Sequence, residues 1–487
     1  MRSMSEGVLF WIGFSVYLAI VLLIGVLTHI YRRSRTLADY LVGGKIIGPL
    51  TTAFTTTASI ASGYQFVGLV GTAFLFGFAS FWFLVGDLIG VTIQYAVAPR
   101  FRKFTGRLNS ITIVDYLADR VEDTGHVVRA LAAIIVFVFM STYVCAQFTA
   151  GGKAFVGLGA SYDLGVFVTW LIVTVYTLLG GYLAVAYTDT LQGIWMLIGM
   201  YTVIPLAIAS MGGWHAFISR LAEQSADLLS ATNGMSLEAF LLFMGTIFGI
   251  GVGYPGSPHS MGRMIGVRSP KAAAQAGIIA VISWILIDTG SIFLGLTARA
   301  MMPTIADPET SYMVMVRELV PPIAAGLMLA AVYAAIMSTA DSQLLAAVGA
   351  LVRDIFQRIL NPNADEKKLV ALSRILVVAI SVAGLVIALR FSGAVFWFIL
   401  FAWSGVACVF APIVVLSLYW KRLTKWGVVA AMIGGSTTAV IWHFTPVLKE
   451  AVYEGFPAAV VSFLLAVVVS LLTKPPEKVI KILEGVW

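Results

Sequence analysis

One apolar stretch of this chain carries an unusual set of oxygens. Residues 334–343 read Ala-Ala-Ile-Met-Ser-Thr-Ala-Asp-Ser-Gln, so Ser338, Thr339, Asp341 and Ser342 put four oxygen-bearing side chains within five residues. Ser338, Asp341 and Ser342 stand at i, i+3 and i+4 and share one helical face, with Thr339 beside it. Oxygen ligands of low charge suit a hard monovalent cation such as Na+, as carbonyls and carboxylates suit Ca2+. Serines and threonines also bond back to the i−4 carbonyl, but that leaves Asp341 unexplained. A carboxylate at mid-membrane costs about 2.5–3.5 kcal/mol on insertion scales and reads as functional. Asp189, in the run 180–190, opens another apolar segment, where it is either part of a site or a helix N-cap. Asp87 and Asp288 also fall inside apolar segments, as site members or as structural acceptors.

Two glycine clusters mark where the backbone itself could bind. One is Ala58-Ser59-Ile60-Ala61-Ser62-Gly63-Tyr64; the other runs from Gly249 through Gly251, Gly253, Pro255, Gly256 and Pro258 to His259. Such densities of Gly and Pro unwind a helix, and unwound backbone at membrane depth is tolerated only where it is buried or lines a cavity. There it offers carbonyls to a cation and N–H groups to an anion. The alternative is that both are packing faces of unbroken helices. Gly251, Gly253 and Gly256 spell G-x-G-x-x-G, but no strand precedes them, which argues against a dinucleotide site.

The elements that must position these residues are membrane helices. Of 487 residues, 60% are hydrophobic and only 11% charged, against about 25% charged in an average soluble domain. This composition excludes a disordered chain and a soluble enzyme. Hydropathy predicts thirteen spans near 8–30, 50–76, 78–99, 127–155, 162–181, 188–211, 237–255, 273–300, 316–347, 371–390, 393–420, 426–445 and 452–473. The segment 8–30 is too long for a signal-peptide core. Alternate loops hold 21 of the 31 basic residues: 31–40 (Arg32, Arg33, Arg35), 100–126, 259–272, 350–370, 421–425 and the C-terminal tail. The positive-inside rule then puts the N-terminus outside and the C-terminus in the cytoplasm. The net charge of +7 follows from those loops, so no nucleic-acid partner is expected. Cys145 and Cys408 lie in apolar segments as packing residues. Counted from residue 50, the two glycine-rich breaks open positions 1 and 6 of a ten-helix core. This suggests an inverted repeat of 50–211 and 237–420, flanked by 8–30 and 426–473.

Several motifs together resemble the sodium/solute symporter family, most of all its bacterial sodium/proline branch, over nearly the whole chain. They are Asp39-Tyr40-Leu41-Val42-Gly43-Gly44-Lys45, the run Gly-Gly-Tyr-Leu-Ala-Val-Ala-Tyr-Thr-Asp-Thr-Leu-Gln at 180–192, Gly253-Tyr254 with Pro258-His259 and Arg263, Met337-Ser338-Thr339 with Gln343-Leu344-Leu345, and Tyr419-Trp420-Lys421-Arg422. The resemblance implies an all-α polytopic LeuT-type fold, a five-plus-five inverted repeat with flanking helices. It also implies a Na+ site made by the carbonyls of Ala58, Ala61 and Ala335 with the hydroxyls of Ser338 and Thr339. Asp189 matches an acid on the family's cytoplasmic sodium-release path, and a second Na+ beside it would use Asp341 and Ser342. A solute site is implied at Ser62, Gly63 and Tyr64 on one break and Tyr254, Ser257 and His259 on the other, with Tyr143 and Gln147 lining the pocket and Trp403 as an outer gate. Two positions depart from the proline symporters: Ile60 stands where they carry Asp, and Ile250 where they carry Trp.

The expected activity is sodium-coupled import of a small organic solute by alternating access in the inner (cytoplasmic) membrane. Proline or another small amino acid leads; a monocarboxylate, pantothenate or a sugar follows, and H+ in place of Na+ remains an alternative. From another class, a solute-sensing receptor module is the competing reading. No H-E-x-x-H, G-x-S-x-G or P-loop signature points to an enzyme. No organic cofactor is expected, and the expected partners are solute and membrane lipid, with the protein a monomer.

Overall fold

The computed structural model describes residues 4–31, 36–391 and 393–485. Arg32, Arg33 and Arg35, which carry the first basic loop, lie outside the described residues. All regular structure in the described residues is helical, apart from one isolated parallel bridge between Ile47 and Val267. The main helices are α1 (Met4–Tyr31), α2 (Pro49–Ile60), α3 (Leu69–Phe76), α4 (Phe81–Arg107), α5 (Ile113–Arg120), α6 (Val127–Gly157), α7 (Tyr162–Ser210), α8 (Leu237–Val252), α9 (Pro258–Gly266), α10 (Pro270–Met301), α11 (Pro322–Gly349), α12 (Glu366–Arg390), α13 (Val395–Trp403), α14 (Val409–Tyr419), α15 (Lys425–Phe444) and α16 (Gly455–Leu472).

Eleven of the described helices are long and apolar enough to cross a membrane. Two of the boundaries expected between the thirteen spans fall at kinks within continuous helical stretches. Residues 64–107 run as one long apolar helical stretch, bent at Gly77 (φ 60°), a backbone conformation that suits glycine. α7 covers two expected spans and is kinked at Gly181 (φ 60°), its first part being the shorter apolar helix Tyr162–Leu178. The span expected from 316 begins at Pro322, because Ser311–Leu319 forms a separate short helix. Large apolar side chains such as Leu23, Ile375 and Leu472 remain exposed on α1, α12 and α16, as lipid-facing surfaces require. α11 is instead buried along nearly its whole length and packs against α1, α6 and α7. That central position explains why its polar residues are sealed from lipid. Cys145 and Cys408 are both buried and unbridged.

Several residues placed in basic loops by the sequence stand on helices, and some of them are buried. α4 continues to Arg107, so Arg102 and Lys103 stand on a helix. Arg120 is wholly buried and donates to the carbonyls of Ser417 (2.8 Å) and Trp420 (3.2 Å). The expected loop 259–272 is mostly α9, a helix started by Pro258 at its first turn, and it buries both His259 and Arg263. Local hydropathy misses this because α9 is short and amphipathic, with its polar side turned inward.

Candidate functional site

The helix that begins at Pro49 stops at Ile60, where Ala61 takes φ −67° and ψ 79°. A π-helical turn, Tyr64–Gly68, then leads into α3. The freed backbone groups are satisfied by named side chains. Gly63 N donates to Gln147 Oε1 at 2.9 Å, and Tyr64 N donates to Ser62 Oγ at 3.0 Å. Gly63 is needed for the close approach of α6, since a Cβ there would lie 2.6 Å from the Ala150 Cβ. The second break comes after Val252: a single turn at Tyr254–Gly256 and an extended Ser257 (φ −70°, ψ 117°) separate α8 from α9. Both expected interruptions are therefore present, and the alternative of two unbroken helices is excluded.

Ala58, Ala335, Ser338 and Thr339, four of the five expected Na+ ligands, meet across α2 and α11. Ser338 Oγ lies 2.8 Å from the Ala58 carbonyl, 2.8 Å from that of Ala334 and 3.2 Å from that of Ala335, and Thr339 Oγ1 lies 3.4 Å from the Ala58 carbonyl. All these residues and Ala61 are fully buried. Two of these carbonyls belong to the preceding turn of α11, the usual back-bonding partners of a helical serine, and the third reaches across from α2. Such a convergence of uncharged oxygens fits a hard cation. Ala61 lies at the break, three residues beyond Ala58, with its N–H bonded to the Thr57 carbonyl at 2.8 Å.

Asp189 is not an N-cap. It sits inside α7, about two turns past the Gly181 kink, and its Oδ2 accepts from Thr55 (2.5 Å) and from Arg263 Nη2 (3.3 Å). The same Nη2 bonds Ser342 Oγ, which in turn reaches the Ser338 carbonyl at 2.6 Å and Asp341 Oδ1 at 3.0 Å. Asp189 Oδ1 and Asp341 Oδ2 have no hydrogen-bond partner. Arg263 thus joins Asp189 and Asp341 in one buried cluster next to Ser338. Sequence reasoning had it in a solvated loop; its place four residues after His259, with an intramembrane Asp needing a partner, was the available signal.

Beyond the breaks lies a small cavity of about 30 Å3, lined by Ile60, Tyr64, Asp87, Tyr143, Tyr254 and Trp403 among others. Ser62 Oγ is 3.4 Å from the Tyr143 hydroxyl, and Ser257 Oγ is 3.1 Å from His259 Nδ1. The Tyr143 and His259 rings meet edge to face at 6.2 Å, as do those of Tyr254 and Trp403 at 5.4 Å. Of the expected solute residues, Tyr64, Tyr143 and Tyr254 line this cavity, while His259 lines a neighbouring one with Tyr182, Arg263 and Ser342. A volume of 30 Å3 admits water but no organic solute, so solute entry requires the walls to part.

Aromatic packing covers one side of the cavity. Tyr64 stacks on Phe396 (5.4 Å, 22°), which also lines a wider vestibule of about 550 Å3 that includes Phe83, Lys153, Glu309 and Trp397. Trp403, expected as the gate, lines the cavity and donates to the Ile250 carbonyl at 3.0 Å; Phe396, stacked on Tyr64, stands between cavity and vestibule. Glu309 pairs with Lys153 (2.6 Å) and accepts from Val395 N and Phe396 N (both 2.9 Å), fixing the start of α13 beside Phe396. At the opposite end, Asp115 is buried among Arg129 (2.7 Å), Arg353 (3.0 Å) and Arg358 (3.0 Å), and these guanidinium groups hold its carboxyl below the usual range despite its burial. Burial, and next the Asp115 charge, push neighbouring Asp119 up to about 6.

Comparison with known proteins agrees with this architecture. A high-affinity proline transporter, PutP, of Bacillus subtilis is 34% identical over 92% of this chain and 96% of its own length. An osmoregulated proline transporter of the same organism, OpuE, is 32% identical over 98% and 97%, and a sodium/proline symporter of Staphylococcus aureus is 34% identical over 96% and 93%. Among solved structures, a Na+-coupled sialic acid symporter in a substrate-bound outward-open state superposes with a TM-score of 0.80 at 16% identity, covering 96% of this chain and 98% of that one. The nucleobase-cation symporter Mhp1 in a closed conformation gives 0.55 at 15% identity, covering 94% and 99%. The fold is therefore the all-α, LeuT-type transporter fold. Residues 40–435 match the sodium:solute symporter family over most of the chain, and the protein belongs to that family.

Proposed function

We propose that this protein is a Na+-coupled symporter that imports a small amino acid, proline first, across the cell membrane by alternating access. The observation that carries the Na+ part is the meeting of the Ala58 carbonyl with Ser338 and Thr339, which ties the first broken helix to α11. Na+ held by Ala58, Ala61, Ala335, Ser338 and Thr339 would fix α2 in the geometry that shapes the cavity. Coupling then requires that Na+ and solute each favour the same state. Proline is favoured because the chain is alike, almost end to end, to three relatives named for proline transport. Ser62, Gly63, Tyr64, Tyr143, Gln147, Tyr254, Ser257 and His259 surround the solute in this reading, with Phe396 and Trp403 closing behind it.

The Asp189–Asp341 pair holds one carboxylate more than Arg263 can balance, which supports a second Na+ at Asp189, Asp341 and Ser342. A measured stoichiometry of one Na+ per solute, unchanged in Asp341→Ala, refutes that site. The N-terminus outside and the C-terminus inside, with repeats at 50–211 and 237–420, complete the proposal. Na+ entry down about 100 mV supplies roughly 2.3 kcal/mol per ion, enough to concentrate a neutral or zwitterionic solute.

The direct test is a thermal-shift screen of purified protein against small amino acids, monocarboxylates, pantothenate and sugars, with Na+ or with choline as the cation. Stabilisation by L-proline that requires Na+ supports the reading. Stabilisation by a non-amino-acid solute, or by L-proline equally without Na+, contradicts it.

A further inference from the structure

Two carboxyls at the edge of the cavity were given no role above. Asp87, on α4, lines the cavity; Asp288, on α10, stands behind it and accepts from Gln65 Nε2 at 3.0 Å. The two face each other, and both are buried, 1% and 0% exposed. The groups that act on them are Tyr254, Tyr64, Tyr143 and Gln65, none of them cationic. Four buried oxygens here have no hydrogen-bond partner: Asp87 Oδ1, Asp288 Oδ2, Gln65 Oε1 and the Tyr64 hydroxyl. Three of these can only accept when the carboxyls are ionised, so the place is short of a positive charge or a donor. Two carboxylates at such range inside low-dielectric protein do not both stay ionised without one.

The walls decide which cation fits. Tyr64, Tyr143, Tyr254, Trp284 and Trp403 line the same cavity, with Tyr254 edge-to-face on Trp284 at 5.6 Å. Aromatic faces attract organic ammonium groups, whereas a small hard ion prefers a cage of oxygens. Ile60 and Ile250 close the cavity with apolar surface, so Asp87 is the one charged side chain in its lining.

We propose that Asp87, backed by Asp288, forms an ammonium-binding subsite of the solute cavity and restricts the solute to one carrying a protonated amine. This deepens the amino-acid reading and rests on it for the choice of proline as probe.

The test uses the full chain in proteoliposomes, with L-proline as transported probe and two competitors. Pyrrolidine keeps the amine without the carboxylate; tetrahydrofuran-2-carboxylate keeps the carboxylate without the amine. Pyrrolidine is expected to inhibit strongly and tetrahydrofuran-2-carboxylate weakly. Asp87→Asn is expected to raise both the proline KM and the pyrrolidine Ki by about 10- to 100-fold, the range for a hydrogen bond to a charged group, with Asp288→Asn smaller in the same direction. Asp87→Glu is expected to recover part of the loss. Na+-induced thermal stabilisation shows which variants are folded; should an Asn variant lose it, Tyr254→Phe is read instead, with a rise in Ki for pyrrolidine expected. Unchanged KM and Ki overturn the proposal. So does a change confined to the Na+ dependence or the pH profile, which would assign the pair to an ion or a proton. If the wild type transports no proline, the solute reading fails separately. The subsite is then read from thermal stabilisation by pyrrolidine: loss of that shift in Asp87→Asn supports it, and no shift in the wild type overturns it.

Discussion

Replacing Ser338 by Ala isolates one ligand of the proposed Na+ site. The hydroxyl is fully buried and stands 2.8 Å from the Ala58 carbonyl, so the substitution removes one oxygen without removing any backbone ligand. An oxygen bonded to a charged partner contributes about 1.5–3 kcal/mol. Ion binding must break the Ser338–Ala58 hydrogen bond, a neutral one of about 1 kcal/mol, and the variant no longer has that bond to break. The net loss of Na+ binding is therefore about 0.5–2 kcal/mol, a rise of roughly 2- to 30-fold in half-saturating Na+. Thr339→Ala should move it the same way by less, because Thr339 Oγ1 is 3.4 Å from the same carbonyl. The assay is thermal stability of purified protein titrated with NaCl at constant ionic strength, which needs no knowledge of the solute. Half-saturating Na+ unchanged in both folded variants would refute the assignment of these oxygens to the ion.

Three further outcomes follow from the packing. Arg263→Gln leaves Asp189 and Asp341 buried beside each other without their cation and should cost about 3–5 kcal/mol of stability. Adding Asp189→Asn should restore much of it, and additive losses in the thermal unfolding of the double variant would contradict the coupling. Gly253→Ala drives a Cβ into the Trp403 indole, which is held by the Ile250 carbonyl, so transport should fall sharply while Gly262→Ala, with open space around it, stays near wild type; equal activity of the two would contradict the close approach. Asp119, pushed up to about 6, binds its proton more tightly folded than unfolded, so its contribution falls as pH rises from about 4 to 6 and is flat above. Allowing for its 27% exposed side chain, this is worth about 1–2 kcal/mol, and Asp119→Asn should flatten the stability–pH curve over that window; identical curves would contradict it.

What could be read from the residues, and what could not, divides along a physical line. The oxygen-rich face at 338–342 and the breaks at 61–63 and 253–257 are local: a polar cluster in an apolar run and a density of Gly and Pro that no straight helix sustains. These were legible. Arg263 was not, because a guanidinium counted by hydropathy looks like a loop charge, whereas its carboxylate partner Asp189 lies 74 residues away in the chain. Arg120 escaped for the same reason, being bound to carbonyls of α14 and the residue after it. Phe396 was not singled out beside Trp403, because its stacking on Tyr64 brings together residues more than 300 positions apart in the chain. The boundaries at 76–78 and 181–188 were legible as well, but that they are kinks at Gly77 and Gly181 within continuous helical stretches, and not loops, was not. Asp87 and Asp288 stood out singly as intramembrane acids, but only packing of α4 on α10 brings them together.

The central claim is that Na+ drives amino-acid import through this fold. Proteoliposomes containing the purified protein, loaded with Na+-free buffer, should accumulate radiolabelled L-proline when Na+ is added outside. Accumulation should rise further under an inside-negative potential and collapse when a sodium ionophore dissipates the gradient. Accumulation that is equal in Na+-free medium, or that follows an imposed pH gradient instead, would contradict the account.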